Sequence, residues 1–291
     1  MRWSAHVAAF ALLPAMVLSS AACSIDISAH DTRYVDTVEK QFTLTGAPQV
    51  HLETFDGSVE VDTWDRNEVR VTIERHASDK AAAERLSIAT NQDGDRVSVV
   101  VKDQPGDGRP HVYFGSASAR LIVTVPVRAT MEVATGEGRV TVRDVVGAID
   151  VKTGDGSVVL SGVNGEVNVS SGDGSLELDG IMPRLAARSG DGRVRVRTSS
   201  TAAIGEWKVS TGDGSVVVEV PEGFGAELAA STGDGRVAVH DLPFAGASDR
   251  HERGSASGRL GNGGGQLSIR TGDGSITVRK ASGSSSSPDA H

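Results

Sequence analysis

The sequence predicts an all-β chain folded as a β-solenoid, a stack of two-stranded coils of 18–22 residues with one short helix in its N-terminal half. Three observations predict it. A Gly-acid-Gly triplet recurs at near-constant spacing, apolar residues alternate with polar ones between the recurrences, and glycine is abundant while aromatics are scarce. Glycine makes up 35 of 291 residues, about 12% against a typical ~7%, and aromatics only 4%. Such a core must be filled by Val, Ile, Leu and Ala, which suits thin, regular sheet packing.

The triplets lie at Gly136-Glu137-Gly138, Gly154-Asp155-Gly156, Gly172-Asp173-Gly174, Gly190-Asp191-Gly192, Gly212-Asp213-Gly214, Gly233-Asp234-Gly235 and Gly272-Asp273-Gly274. Their starts are 18, 18, 18, 22, 21 and 39 residues apart, and "TFDGSVEV" from Thr54 is a divergent relative. Three copies align without a gap. Val140, Val158 and Leu176 are equivalent, as are Val142, Leu160 and Leu178, then Val145, Val163 and Ile181. Ile149, Val167 and Leu185 follow, then Val151, Val169 and Ala187, and Thr153, Ser171 and Ser189 close the unit. Period-2 alternation bounded by glycine turns signals strands. One such coil buries too little to be stable, so the units must stack, with like side chains in ladders ~4.8 Å apart.

From the N-terminus, "MRWSAHVAAFALLPAMVLSSAAC" carries Arg2, an apolar run and then small residues, the pattern of a signal peptide over 1–22. Ser20, Ala21 and Ala22 before Cys23 are similar to a bacterial lipoprotein processing box, which makes Cys23 the lipidation candidate. Ser20 stands where such boxes usually carry Leu, and ordinary cleavage after Ala22 cuts the same bond. Both readings export the chain, to the outer membrane, periplasm or cell surface. Residues 23–45 read as a polar tether. The region 46–130 reads as strands and a short helix, "SDKAAAERL", capped by Ser78 or Asp79, all flanking the stack. The regular coils span 131–280, with a Gly-rich loop insertion at 243–265, and the Ser-rich stretch 281–291 reads as a disordered tail.

The charge of −9 argues against nucleic acid as partner, and the single Cys excludes an intrachain disulfide. The eight His are scattered, and no cofactor is called for. The Gly-Asp-Gly turns lack the nonapeptide of calcium β-rolls. They read as corners in which Asp caps backbone N–H groups and Gly supplies φ > 0. A weak cation site along the Asp row is the alternative. The turns lack the Lys and the following helix of a phosphate loop.

Stacking sets Asp179, Arg197 and Glu219 side by side and Glu177 beside Arg195, with Arg193 on the same edge. This reads as an ion-pair ladder, or as the acidic-sugar clamp of a polysaccharide lyase. His240 and Asp241 are an isolated pair. Trp64 and Trp207 read as corner packing or as sugar platforms.

"TFDGSVEVDTWDRNEVRVTIER", "LIVTVPVRATMEVATGEGRVTV", the coils and "GGGQLSIRTGDGSITV" together resemble the putative-adhesin family of bacterial β-strand-repeat proteins, a domain of unknown function, over about residues 46–280. The resemblance implies an envelope-directed, non-enzymatic scaffold with no catalytic residues. The partner expected is an envelope polymer, a glycan or a protein surface, with contact to membrane only through a lipid on Cys23. A carbohydrate-active enzyme and an envelope-stress sensor docking through the 243–265 loop are the alternatives.

Overall fold

The structure, a computed structural model, describes residues 34–104, 117–248 and 254–281, all within one compact unit, Asp31–His291. The signal peptide, Cys23 and residues 282–291 lie outside the described residues. The chain enters through β1 (Tyr34–Thr43), β2 (Gln49–Asp56), β3 (Val59–Trp64) and β4 (Glu68–Ala77). The helix α1 (Lys80–Arg85) follows, then β5 (Leu86–Asp93), β6 (Arg96–Asp103) and β7 (Ser118–Pro126).

Next come β8 (Thr130–Glu137), β9 (Val140–Arg143), β10 (Ile149–Thr153), β11 (Val158–Asn164), β12 (Val167–Ser171) and β13 (Leu176–Ile181). They lead to β14 (Leu185–Arg188), β15 (Val194–Arg197), β16 (Glu206–Thr211) and β17 (Val216–Val220). The last elements are β18 (Ala226–Thr232), β19 (Val237–His240), β20 (Phe244–Ser248), β21 (Ser255–Leu260), β22 (Gly265–Thr271) and β23 (Ile276–Lys280).

These strands form two sheets, of eleven and twelve strands, whose inward residues share one apolar cluster. Within the regular region each coil gives one strand to each sheet, paired in parallel. Val158 stands between Val140 and Leu176, and Leu160 between Val142 and Leu178. In the other sheet Val167 stands between Ile149 and Leu185, and Val169 between Val151 and Ala187. All of these residues are buried, at 3% exposure or less. The β-solenoid is therefore as the repeat predicts.

One expected column breaks. Val145 and Val163 are buried, but Ile181 is 42% exposed and Met182 is buried instead. The register slips between Leu160 and Val163, so Val163 faces Gly180 and Asn164 faces Ile181. That one-residue slip sends Ile181 to the opposite face, as the two-residue period of a strand requires.

The order of coils departs from the order of the sequence at both ends. Coil β2–β3 lies between β8–β9 on one side and β6–β7 on the other. Its residues 49–64 thus belong to the stack and do not flank it. Coil β22–β23 lies between β16–β17 and β18–β19. Burial gives the reason. Leu267, Ile269, Ile276 and Val278 of the inserted coil are fully buried, whereas Val237 and Val239 of β19, left at the sheet edge, are half-buried. The more apolar coil takes the position with a neighbour on each side.

The 243–265 excursion is not a plain loop. β20 pairs antiparallel with β21, and β21 with β18, which extends the twelve-stranded sheet and covers an edge that would otherwise invite pairing. Its residues 249–253 lie outside the described residues. The expected tether is likewise partly strand, since β1 pairs antiparallel with β4 over Tyr34–Thr43. The helix falls where expected, with Asp79 as its cap: Oδ1 accepts from the Ala82 N–H at 2.8 Å. Ala82 and Ala83 are buried on its inner side.

Candidate functional site

The Gly-Asp-Gly corners are built differently from the capped turn that the sequence suggests. In five of the seven triplets the N–H of the second glycine is met by the hydroxyl residue just before the triplet. Thr153 Oγ1 accepts from the Gly156 N–H at 3.0 Å, Ser171 Oγ from Gly174 at 3.0 Å and Ser189 Oγ from Gly192 at 3.1 Å. Ser171 and Ser189 also donate to the preceding coil, to the Gly156 carbonyl at 2.9 Å and the Gly174 carbonyl at 2.8 Å. Thr211, Thr271 and Thr232 repeat this toward Gly192, Gly214 and Gly274. The hydroxyl residue closes an inward-facing row and so lies within reach of the turn; the Asp points outward.

The glycines serve close approach more than positive φ. A Cβ on Gly156 would lie 1.8 Å from the Gly138 carbonyl oxygen, and one on Gly174 equally close to that of Gly156. Of the seven triplets only Gly138, at φ 107°, has a glycine in the left-handed region.

Asp155, Asp173, Asp191, Asp213, Asp273 and Asp234 are thus stacked along one corner, all exposed to water. Solvent screening makes such a row tolerable. At its head Asp56 is paired with Glu137, and burial, then the Glu137 charge, pushes its carboxyl above the usual range. Among the described residues no three His, Cys, Asp or Glu side chains come together as a group able to hold a metal ion.

The outer face of the eleven-stranded sheet carries the expected charge column. Asp179 stands opposite Arg197, Arg197 opposite Glu219, and Glu177 opposite Arg195. The next neighbour of Glu219 is Arg279, because β23 lies beside β17. Glu219 Oε2 accepts from Arg197 Nε at 3.0 Å and Nη2 at 2.8 Å. Its Oε1 accepts from Arg279 Nε at 3.0 Å and also from Nη2. Among the described residues Glu219 is the only buried charged side chain. Burial pushes its carboxyl up, but the hydrogen bonds from Arg279 and Arg197 outweigh that and hold it below the ordinary glutamate range.

A lyase base must exchange a proton near working pH. Glu219, saturated by two guanidiniums and shifted downward, is unsuited to that. No ion pair joins Glu177 to Arg195, and Arg193 is simply exposed. Sequence order hid Arg279: the next Gly-Asp-Gly coil after Glu219 carries His240 at that position, and His240 instead faces Arg279 from the far side.

The remaining candidates do not converge. His240 ends β19, exposed, and Asp241 follows at φ 56° with no bond between the two side chains. Trp207 is wholly buried, stacked at a tilt 5.7 Å from Phe224, and its Nε1 donates to the Met182 carbonyl at 2.6 Å. It is a packing residue, not a sugar platform. Trp64 is half-buried, donates to the Glu68 carbonyl at 2.8 Å, and has the guanidiniums of Arg66 and Arg70 over its ring at 4.9 and 4.7 Å. Those cations occupy the ring a sugar would need.

The outer face of the twelve-stranded sheet carries an open groove of about 620 Å³ across five coils, with Glu132, Asp150, Asn168, Arg188 and Lys208 along it. Asn168 Nδ2 donates to Asp150 Oδ2 at 2.8 Å, and Glu166 and Arg184 pair at 3.3 Å. Nothing in the sequence singled this face out beyond its polar alternation.

Comparison with known proteins places the chain. No curated protein matches its sequence. Among solved structures it is similar to one described as a putative cell adhesion protein from Clostridium sporogenes, at 12% identity and TM-score 0.35, covering 85% of this chain and 100% of that one. A putative adhesin from Bacteroides fragilis is similar at 9% identity and TM-score 0.38, covering 84% and 97%. A putative lipid binding protein from Parabacteroides distasonis is similar at 11% identity and TM-score 0.24, covering 84% and 96%. Likeness at that level carries no conclusion about activity. The family model described as Toastrack DUF4097 matches residues 47–182 and again 127–279, which spans both the intercalated N-terminal coil and the final one. The chain belongs to the Toastrack DUF4097 family.

Proposed function

We propose that this chain is a non-enzymatic, adhesin-like interaction module of the bacterial cell envelope, exported by its signal peptide and anchored by lipid on Cys23. One observation carries the reading. The polar chemistry is spread along straight columns on two sheet faces, and the only buried charge among the described residues, Glu219, is already consumed by Arg197 and Arg279. A surface of that kind suits a long repetitive partner better than a reacting centre, which needs convergent groups in a closed pocket. No described helix is long and apolar enough to cross a membrane.

The test is a binding screen of the mature chain against cell-envelope polymers, envelope proteins and host glycans, with and without calcium. Saturable binding to one of them supports the module. Turnover of a polysaccharide by the same preparation would overturn it. Cys23→Ala should move the protein from the detergent phase to the aqueous one, and unchanged partitioning would remove the anchor.

A further inference from the structure

The twelve-stranded sheet carries an alternation that the chain order conceals. One outward position per coil, two residues before the Gly-acid-Gly triplet, forms a column across the sheet. Ala134 faces Lys152, Lys152 faces Ser170, and Ser170 faces Arg188. Arg188 faces Ser210, Ser210 faces Arg270, and Arg270 faces Ser231. The column therefore reads Lys, Ser, Arg, Ser, Arg, Ser from Lys152 to Ser231. In sequence order Ser231 precedes Arg270 and the alternation is lost. Intercalation of β22 between β16 and β18 creates it.

The three cations stand two strand spacings apart, about 9.5 Å from each to the next. Lys152 is 60% exposed, and its Nζ lies 3.5 Å from Asp150. Arg188 and Arg270 are exposed and have no carboxylate partner among the described residues, although acidic residues outnumber basic ones by 38 to 29. The serines between them stand at the same register position. The groove of about 620 Å³ includes Arg188, and a smaller hollow of about 340 Å³ includes Lys152.

We propose that this column binds an extended acidic polysaccharide with one carboxylate on every second sugar. The proposal rests on the interaction-module reading and names its partner and its surface. An extended pyranose chain laid along the column advances one sugar in about the distance the sheet advances one strand, so a charge on alternate sugars meets a cation on alternate coils. Serine hydroxyls meet the hydroxyls of the uncharged sugars. A guanidinium takes a carboxylate through two parallel hydrogen bonds, which fixes register as well as charge. A nucleic acid fits worse. Its phosphates are closer together than the cations, and the column offers no aromatic side chain to stack a base.

The experiment uses the mature chain and three polymers: hyaluronan, with one carboxylate per disaccharide, polygalacturonate, with one per sugar, and uncharged dextran. The wild type should bind hyaluronan at low salt and leave dextran unbound. The Arg188→Gln/Arg270→Gln pair should weaken hyaluronan binding about tenfold or more, while Arg259→Gln, off the column, should not. A second variant keeps the charge and breaks the spacing: Arg188→Gln with Ser210→Arg should weaken hyaluronan as much and polygalacturonate little. Both changes lie on outward positions that already hold Arg or Ser in other coils, and an unchanged melting temperature confirms folding.

Hyaluronan binding that survives either double variant overturns the column, as does single-stranded DNA of equal charge binding as tightly. Failure to bind any acidic polymer also overturns it. The envelope screen described above decides the interaction-module reading separately, since capture of a protein or neutral polymer leaves that reading standing.

Discussion

Arg279 donates to Glu219 across 60 residues of sequence. It reaches that carboxylate because the last coil is inserted beside β17, where it separates β17 from β19. Arg197 holds the other oxygen from the preceding coil, so one acidic side chain ties three coils together.

Glu219→Gln should therefore cost about 1–2 kcal/mol. The figure stays below that for a fully enclosed pair because Arg197 and Arg279 are 40% and 43% exposed and return readily to water. The carboxyl is shifted down in the folded state, so its contribution is fully present above the ordinary glutamate value of 4.5 and is lost as pH falls through the lower folded value. Urea unfolding of both proteins at pH 7 and pH 3 checks this. The gap between them should narrow at the lower pH, and a constant gap would count against the linkage.

Gly156→Ala should be among the most damaging single changes in the stack. The added methyl would sit 1.8 Å from the Gly138 carbonyl oxygen, which is backbone and cannot move without parting two coils. A loss of about 3 kcal/mol or more is expected. Gly94→Ala makes the comparison: nothing lies within 4 Å of its Cβ, and its cost, from φ 58°, should be about 1 kcal/mol. Equal losses in denaturant unfolding would contradict the close-approach account.

Ser171→Ala removes an acceptor for the Gly174 N–H and a donor to the Gly156 carbonyl in one step. Both groups lie in a buried corner, so about 1–3 kcal/mol should go. Ser171→Thr should restore most of it, because Thr271 and Thr232 each make both bonds in their own coils. The measurement is again the unfolding midpoint, with the Thr variant as control.

Truncation after residue 264 should do more than remove a terminal coil. β16 and β18 each pair with β22, and β17 and β19 each pair with β23. Hydrogen exchange should lose protection in β18 and β19, upstream of the cut, as well as along β16. Retained protection in β19, whose one strand partner among the described residues is β23, would count against this order, whereas β18 still keeps β21.

Much of this was legible in the chain. The 18-residue repeat located the corners, and its apolar columns through Val158, Leu160, Val167 and Val169 are the ones observed. The Asp79 cap and the Asp179–Arg197–Glu219 column followed from local pattern as well. Ile181 did not, because a one-residue slip is set by how Gly180 packs on Val163, and a repeat count is blind to that. Local turn preference points to Asp for the corner chemistry, whereas a buried Thr or Ser hydroxyl performs it. The signal was present, since a hydroxyl residue stands immediately before every triplet.

By itself the sequence settled that this chain builds repeated coils, where each coil turns, and, Ile181 apart, which side chains of the aligned coils face inward. Period and polarity are local properties, and a strand displays them before it has neighbours. Only tertiary structure decided which coil lies against which. Every coil offers the same parallel hydrogen-bonding edge and a similar aliphatic row, so adjacency is chosen by total burial. That choice enclosed Leu267, Ile269, Ile276 and Val278, left β19 at the rim, and brought Arg279 to Glu219 and Arg270 between Ser210 and Ser231.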